Sequence, residues 1–179
     1  MTSAERQRAI AYLEETRELL LKTTSGLSCA QLQYKPASDR WSVGEILEHV
    51  VFTEQRALAR IQNALLQPVN TAKSSWEDDG LVQTIAGRIG RANAPEPILP
   101  SGRWPLEQLL PEFETARSST INFAGTTTGE LRQHFMNHPL FGPLDCYQWL
   151  LAIPAHCERH RLQTEEVLAA ARFPRAAGV

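Results

Sequence analysis

The chain has 179 residues, of which 42% are apolar and 21% are charged, and its formal net charge is −2. This composition suits one globular domain, expected over residues 1–172, followed by a disordered tail over residues 173–179. The nearly balanced charge and the lack of a Lys- and Arg-rich stripe exclude a nucleic-acid-binding protein. Because no stretch approaches about 18 consecutive apolar residues and residues 1–15 lack a signal-peptide core, we expect a cytoplasmic protein that does not enter a membrane.

Helical periodicity in the first third of the chain predicts two long helices. Residues 4–24 are strong helix formers with apolar residues at helical spacing, and residues 27–40 suit a turn. The second helix begins with a capping box from Ser42 to Glu45. Apolar residues then recur at intervals of three and four to about residue 67, so one face of this helix is expected to be buried.

A long connection is predicted between the second and third helices. Residues 68–103 are rich in Pro and Gly, with room for a short helix near residues 81–89. The acidic residues 77–79 are interpreted as a solvated loop. Connections of this length in compact domains are usually functional lids or long crossovers, and both interpretations remain open.

Two further helices complete a predicted all-α four-helix bundle. The third covers residues 105–123 and ends at Gly125, a residue type that commonly terminates helices. The fourth is expected to begin with Pro143 in its first turn and to continue to about residue 171, with a kink at Pro154. Short loops and one long crossover between four helices are typical of helical bundles.

The five histidines are the most informative residues of the sequence. His156 and His160 are four apart on the face of the fourth helix that also carries Trp149, so both rings point inward. A single inward histidine is usually a hydrogen-bonded core residue, but two buried together need a shared metal or a polar network. His49 lies at the margin of the apolar face of the second helix, where it either contributes to the same site or faces solvent.

The remaining histidines and the cysteines give weaker indications. His134 and His138 are also four apart, but Pro139 disfavours helical geometry at His138, so a loop role is favoured. His138 could still approach the site from the substrate side. The three cysteines match no zinc or redox motif and are interpreted as reduced, packed thiols: Cys29, Cys146 and Cys157.

Three segments together resemble the DinB-like (DinB/YfiT-like) family. They are RWSVGEILEH at residues 40–49, HPLFGPL at residues 138–144 and HCERHRLQ at residues 156–163. The likeness covers about residues 9–168. It implies a four-helix bundle with a long connection between helices two and three, and a divalent metal ion held by one histidine of helix two and two of helix four, here His49, His156 and His160. Two residues depart from the family pattern. They are Pro154, just before the first histidine of the pair, and Cys157, at a position where many relatives have an acidic residue.

Three neutral imidazoles leave a metal ion with its positive charge and an open coordination position, the pattern of catalytic zinc sites. Zinc and nickel both suit such ligands, and either ion would acidify a bound water or thiol. Relatives of known activity use low-molecular-weight thiols, and others are described as metal-dependent hydrolases. The first hypothesis is therefore a metal-dependent enzyme acting on a small molecule, with thiol-dependent S-transfer favoured over hydrolysis because Glu45 belongs to the cap and Glu158 points away from His156. The alternatives are a non-catalytic protein that binds metal or a small ligand, and a helical homodimer with a vestigial site.

Overall fold

The computed structural model describes residues 1–70, 72–87 and 98–174. In chain order, its first helices are α1 (Ser3–Thr24), α2 (Cys29–Gln33), α3 (Val43–Leu65) and α4 (Asp78–Ala86). Helix α5 (Leu109–Thr126) follows a single 3-10 turn at Leu106–Gln108, and a second such turn lies at Leu131–Gln133. The strands β1 (Phe135–His138) and β2 (Gly142–Asp145) then form an antiparallel hairpin, which leads into α6 (Cys146–Leu168).

The four long helices pack in a ring. Helix α1 contacts α6 and α5, while α3 contacts the same two helices from the other side, so α1 and α3 are diagonal to each other. The short helix α4 packs on α6. The predicted all-α bundle with a long connection after its second long helix is confirmed. No helix among the described residues combines the length and apolar composition that a membrane span requires.

Local sequence signals explain where several helices begin. A capping box, in which the cap side chain and the side chain three residues later each bond the other's backbone amide, is present at four helix starts. The cap residues are Thr2, Ser28, Ser42 and Asp145. The Ser42 cap sets the start of α3, as the sequence predicted, and thereby fixes which side of α3 carries His49.

A buried ion pair ties α3 to its neighbours in the middle of the bundle. The side chains of Arg117 on α5 and Glu54 on α3 are 0% and 2% exposed, and the guanidinium bonds both carboxylate oxygens at 2.9 Å. Arg117 also donates to the backbone carbonyl of Leu13 on α1, and the Thr120 hydroxyl donates to Glu54. Because every partner in this network is satisfied, it connects three helices without leaving an unpaired buried charge.

The predicted start of the last helix is wrong. Residues 142–145 form strand β2, and Pro143 lies opposite Asn137 of β1 instead of in a first helical turn. Asp145 is the cap, α6 begins at Cys146, and it continues through Pro154 to Leu168. Proline is tolerated here because β2 belongs to a two-stranded sheet and so has one unpaired edge.

Smaller differences concern the connections. The acidic residues 77–79 form the cap and first turn of α4 instead of a solvated loop, and α2 lies in the segment predicted as a turn. Gly125 is inside α5, which ends one residue later. Cys146 and Cys157 are buried as expected, whereas Cys29 is exposed on α2.

Two predicted segments lie partly outside the described residues. In the long connection these are residues 71 and 88–97, and in the predicted tail they are residues 175–179. At the start of that tail, Phe173 makes an edge-on ring contact with Tyr34, and the Pro174 carbonyl accepts a hydrogen bond from Gln31.

Candidate metal centre

Three histidines from two helices converge at one point between α3 and α6. The Nε2 atom of His156 lies 3.1 Å from Nε2 of His49 and 3.1 Å from Nε2 of His160. The three candidate ligand atoms all lie within 4.8 Å of one another. The structure therefore brings together the three histidines that the sequence singled out.

The proton on His49 is held away from this convergence point. His49 is 2% exposed, and its Nδ1 lies 2.8 Å from the backbone carbonyl oxygen of Ile98. A carbonyl oxygen can only accept, so Nδ1 carries the proton. The neutral His49 ring consequently presents an unprotonated Nε2 to His156.

His160 is oriented in the same sense by its own helix. Its Nδ1 lies 2.9 Å from Oε1 of Gln163, one turn further along α6, and donates to that oxygen. Its Nε2 is then also an unprotonated acceptor. Hydrogen bonds of this kind, donated by the outer nitrogen, are the usual way in which metal-ligating histidines are oriented.

The donor set fits a transition-metal ion. A proton on Nε2 of His156 could point to only one of its two neighbours, so at least one pair of nitrogen lone pairs would face each other at 3.1 Å. A cation at the centre removes this repulsion. Nitrogens at this separation can both lie at the usual zinc–nitrogen distance of about 2.0–2.1 Å from one ion.

Burial favours the neutral form of two of the three rings, those of His156 and His49. The pKa of His156 lies well below its ordinary value, first because of burial and then because His160, His49 and Arg159 oppose a further positive charge. Burial likewise lowers the pKa of His49, assisted by Arg103 and opposed by the bond to Ile98. Since only neutral imidazole can bind a metal, both shifts favour metal binding at neutral pH.

A carboxylate beside His49 anchors the end of the long connection to α3. Glu48 is 4% exposed and accepts hydrogen bonds from the backbone amides of Ser101, Gly102 and Arg103 at 2.8, 2.9 and 3.2 Å. The Arg103 guanidinium adds a fourth bond at 2.9 Å. Burial raises the pKa of Glu48, but these bonds outweigh it and the pKa lies below its ordinary value. Glu48 therefore holds the segment whose Ile98 carbonyl orients His49.

Sequence reasoning missed both Glu48 and Trp41. Glu48 was not identified because its partners are more than fifty positions away in a segment without helical periodicity. The Trp41 ring lies 4.9 Å from that of His49 and 6.2 Å from that of His160, so it covers one side of the triad. A tryptophan directly before a helix cap and eight residues before a candidate ligand was the available signal.

The other two histidines are not part of the triad. His134 is 7% exposed, and its backbone carbonyl accepts a hydrogen bond from Cys146 at the start of α6. His138 ends strand β1, with its ring 4.9 Å from Trp149 and 4.7 Å from Phe141. The predicted loop role is confirmed for His134, which lies between the 3-10 turn at Leu131–Gln133 and strand β1, and is wrong for His138, which belongs to β1.

Comparisons with known proteins identify the family of this chain and support its fold. The model of the DinB superfamily matches residues 12–164. The uncharacterized protein YuaE of Bacillus subtilis (strain 168) is 26% identical over 158 residues, covering 88% of this chain and 92% of that protein. The solved structure of YfiT from Bacillus subtilis, described as a probable metal-dependent hydrolase with an unusual four-helix bundle topology, matches with a TM-score of 0.65 and 12% identity over 94% of this chain and 88% of that chain. The structural likeness supports the fold, and because the family model matches most of the sequence, the chain belongs to the DinB superfamily.

Proposed function

We propose that this protein is a metal-dependent enzyme in which His49, His156 and His160 hold one divalent transition-metal ion, zinc or nickel. The observation that carries the proposal is the convergence of the three Nε2 atoms. Two of them are unprotonated, because His49 and His160 donate from Nδ1 to Ile98 and Gln163. Bound through neutral imidazoles, such an ion would lower the pKa of a water molecule or a thiol that coordinates to it. Membership of the DinB superfamily and the description of YfiT are consistent with metal dependence.

Among the two reactions that such an ion supports, we favour transfer from a low-molecular-weight thiol. The three carboxylates nearest in sequence to the ligands already have structural partners. Glu48 binds the 101–103 segment, Glu45 bonds the Ser42 amide and Lys35, and Glu158 pairs with Arg161. None of the three is left as a general base to activate water.

In the favoured reaction the thiol loses its proton to solvent, and its sulfur forms a bond to an electrophilic carbon of the second substrate. The leaving group of that substrate departs with the bonding electron pair. Of the three proposed ligands only His156 is partly exposed, whereas His49 and His160 are buried and lie beside Trp41. Hydrolysis is the second candidate, supported by the similarity of the fold to YfiT.

The metal assignment is tested by metal content. Protein purified without a chelator should contain about one transition-metal ion per chain, and His156→Ala or His160→Ala should remove most of it. His134→Ala is the matched control, because it removes a buried histidine that lies outside the triad. Full metal occupancy in either triad variant would show that the substituted residue is not a ligand.

The reaction is tested with the metal-loaded protein and an electrophilic acceptor, in the presence and absence of a panel of small thiols. Transfer predicts acceptor consumption that requires both metal and thiol and is lost in His160→Ala. Esters and amides are tested in parallel, and metal-dependent hydrolysis that is indifferent to thiol would refute the transfer proposal. Metal binding without turnover of any substrate would favour a binding protein.

A further inference from the structure

One flank of α3 joins the metal centre to a cationic region. Residues spaced by four, three and four positions share one side of a helix, since this spacing stays within about 60° of a common direction. Starting at the metal centre, the flank consists of His49, Thr53, Arg56 and Arg60. The hydroxyl of Thr53 is inaccessible to solvent and has no hydrogen-bond partner among the residues that the structure describes.

Helix α6 runs antiparallel to this flank. At one end, His49 of α3 meets His156, and at the other end the guanidinium of Arg60 lies 4.6 Å above the Trp149 ring. Trp149 precedes His156 by seven residues on the same face of α6, a rise of about 10 Å along the helix. The Arg60–Trp149 pair thus lies two helical turns from the metal centre along the same boundary.

Arg60 lacks the anionic partner that other arginines of this protein have. Several buried or half-buried arginines elsewhere pair with carboxylates, as Arg103, Arg117 and Arg161 do. Arg60 donates one hydrogen bond to the Asn137 carbonyl, at 3.2 Å, and has no carboxylate within ion-pair distance among the described residues. Burial and the neighbouring Arg56 lower its pKa. A partly desolvated cation without an anion is stabilised by an anionic ligand.

A neutral hydrogen-bond donor lies beside Arg60. Nδ1 of His138 accepts a hydrogen bond from the Leu140 amide at 3.2 Å, so the neutral ring carries its proton on Nε2. Burial and the charge of Arg60 lower the pKa of His138 to about 4. At neutral pH the ring is therefore an uncharged N–H donor, and it packs against the rings of Trp149 and Phe141.

We propose that Arg60 and the Nε2–H group of His138 bind the carboxylate of an organic acid. The proposal rests on the proposed function in one respect, namely that this acid is a substrate of the metal centre. A guanidinium and an imidazole N–H supply two donors to a carboxylate. The distance along α6 between the Arg60–Trp149 pair and the metal centre favours a substrate whose reacting atom lies on the order of 10 Å from its acid group.

The test compares 4-phenylbutyrate with its uncharged amide, 4-phenylbutanamide, by titration calorimetry on the full-length protein. Metal is removed with a chelator, so that the acid cannot bind through the ion. The acid should bind roughly tenfold more tightly than the amide, as expected for a hydrogen-bonded charge pair. Arg60→Gln should bring the ratio close to one. Equal affinities in the wild type, an unchanged ratio in Arg60→Gln, or no binding of either compound at millimolar concentration would overturn the proposal.

Matched variants separate this subsite from general charge effects. Arg17→Gln removes a partly buried arginine from α1, across the bundle, and should leave the preference for the acid unchanged. His138→Phe keeps an aromatic ring but loses the donor, and should weaken acid binding several-fold, whereas His138→Gln should retain part of it. Loss of acid preference in Arg17→Gln would show that net charge, not the subsite, is responsible.

The outcome is independent of the metal proposal. Arg60→Gln should keep the metal content of the wild type, because Arg60 is outside the triad. If the protein binds no metal but still prefers the acid, the proposed enzyme function fails and the subsite stands. If it binds metal through the triad but does not distinguish acid from amide, only the subsite fails.

Discussion

Substitution of Glu48 by Gln tests whether the 101–103 segment is held as the structure indicates. The Glu48 carboxylate accepts four hydrogen bonds, three of them from consecutive backbone amides. A glutamine offers one carbonyl oxygen, and its NH2 group would face donors instead of acceptors. Hydrogen bonds to charged groups contribute about 1.5–3 kcal/mol each, but Arg103 is 27% exposed and water can replace part of its interaction. We expect the unfolding free energy to fall by about 2–4 kcal/mol.

The assay is urea unfolding of the metal-free protein, followed by a metal-competition titration with a chromophoric chelator. For a slope near 2 kcal/mol per molar urea, the expected loss shifts the midpoint by about 1–2 M. Metal affinity should fall by about tenfold, because outer partners of ligating histidines typically contribute factors of 10–100 and Glu48 acts through the segment that bears Ile98.

Glu45→Gln is the matched control for this experiment. It makes the same chemical change one turn earlier on α3, where glutamine can still bond the Ser42 amide. Only the ion pair with Lys35 is lost, and since that lysine side chain is 44% exposed, the cost should stay below about 1 kcal/mol. Equal stability losses in the two variants would refute the interpretation that Glu48 anchors the 101–103 segment. An unchanged metal affinity in Glu48→Gln would show that this anchoring does not affect metal binding.

Three further predictions concern stability, each measured by urea unfolding. Glu54→Gln should cost about 3–5 kcal/mol because it leaves the fully buried Arg117 without an anion, and a loss below about 1 kcal/mol would contradict this. The pKa of His138 is lowered to about 4 in the folded protein, so the unfolded chain binds more protons between about pH 6.5 and pH 4. As the pH is lowered through this range, the unfolding free energy should fall by up to about 3 kcal/mol, and His138→Asn should remove this part of the pH dependence. Gly142→Ala should cost about 1–2 kcal/mol, since Gly142 has a φ of +70° with open space around it, whereas Gly80→Ala in α4 should not destabilise.

The parts of the fold that depend on local signals could be predicted from the sequence. The start of α3 follows from Ser42 and Glu45, three residues apart, and the four-residue spacing of His156 and His160 places both rings on one side of α6 whatever surrounds them. The same cap pattern, Asp145 with Gln148, marks the start of α6. This pattern was overlooked because Pro143 was assigned to the first helical turn, a position that proline often occupies.

The parts that depend on distant partners could not be predicted. Each strand of the hairpin is only four residues long, which is too short for a period-two pattern to emerge, and its register depends on pairs such as Asn137 with Pro143. To predict that His49 converges with His156 and His160, one must know how α3 and α6 pack against each other. The sequence alone left open whether the His49 side chain joins the site or faces solvent. The acidic residues 77–79 looked like a solvated loop because the partner of Asp78, Arg132, lies 54 positions further along the chain.

The proposed metal centre depends unequally on the elements around it. His156 and His160 share one helix, and the partner that orients His160, Gln163, belongs to that helix as well, so this pair is preorganised by α6 alone. His49 is different, because α3 fixes its backbone while the Ile98 carbonyl fixes its ring. The position of that carbonyl depends in turn on the bonds between Glu48 and the 101–103 segment. A change in the long connection can therefore alter the orientation of His49 through its hydrogen bond to Ile98, while His156 and His160 stay in place. Ligand binding at this end of the connection would consequently be coupled to metal affinity through His49.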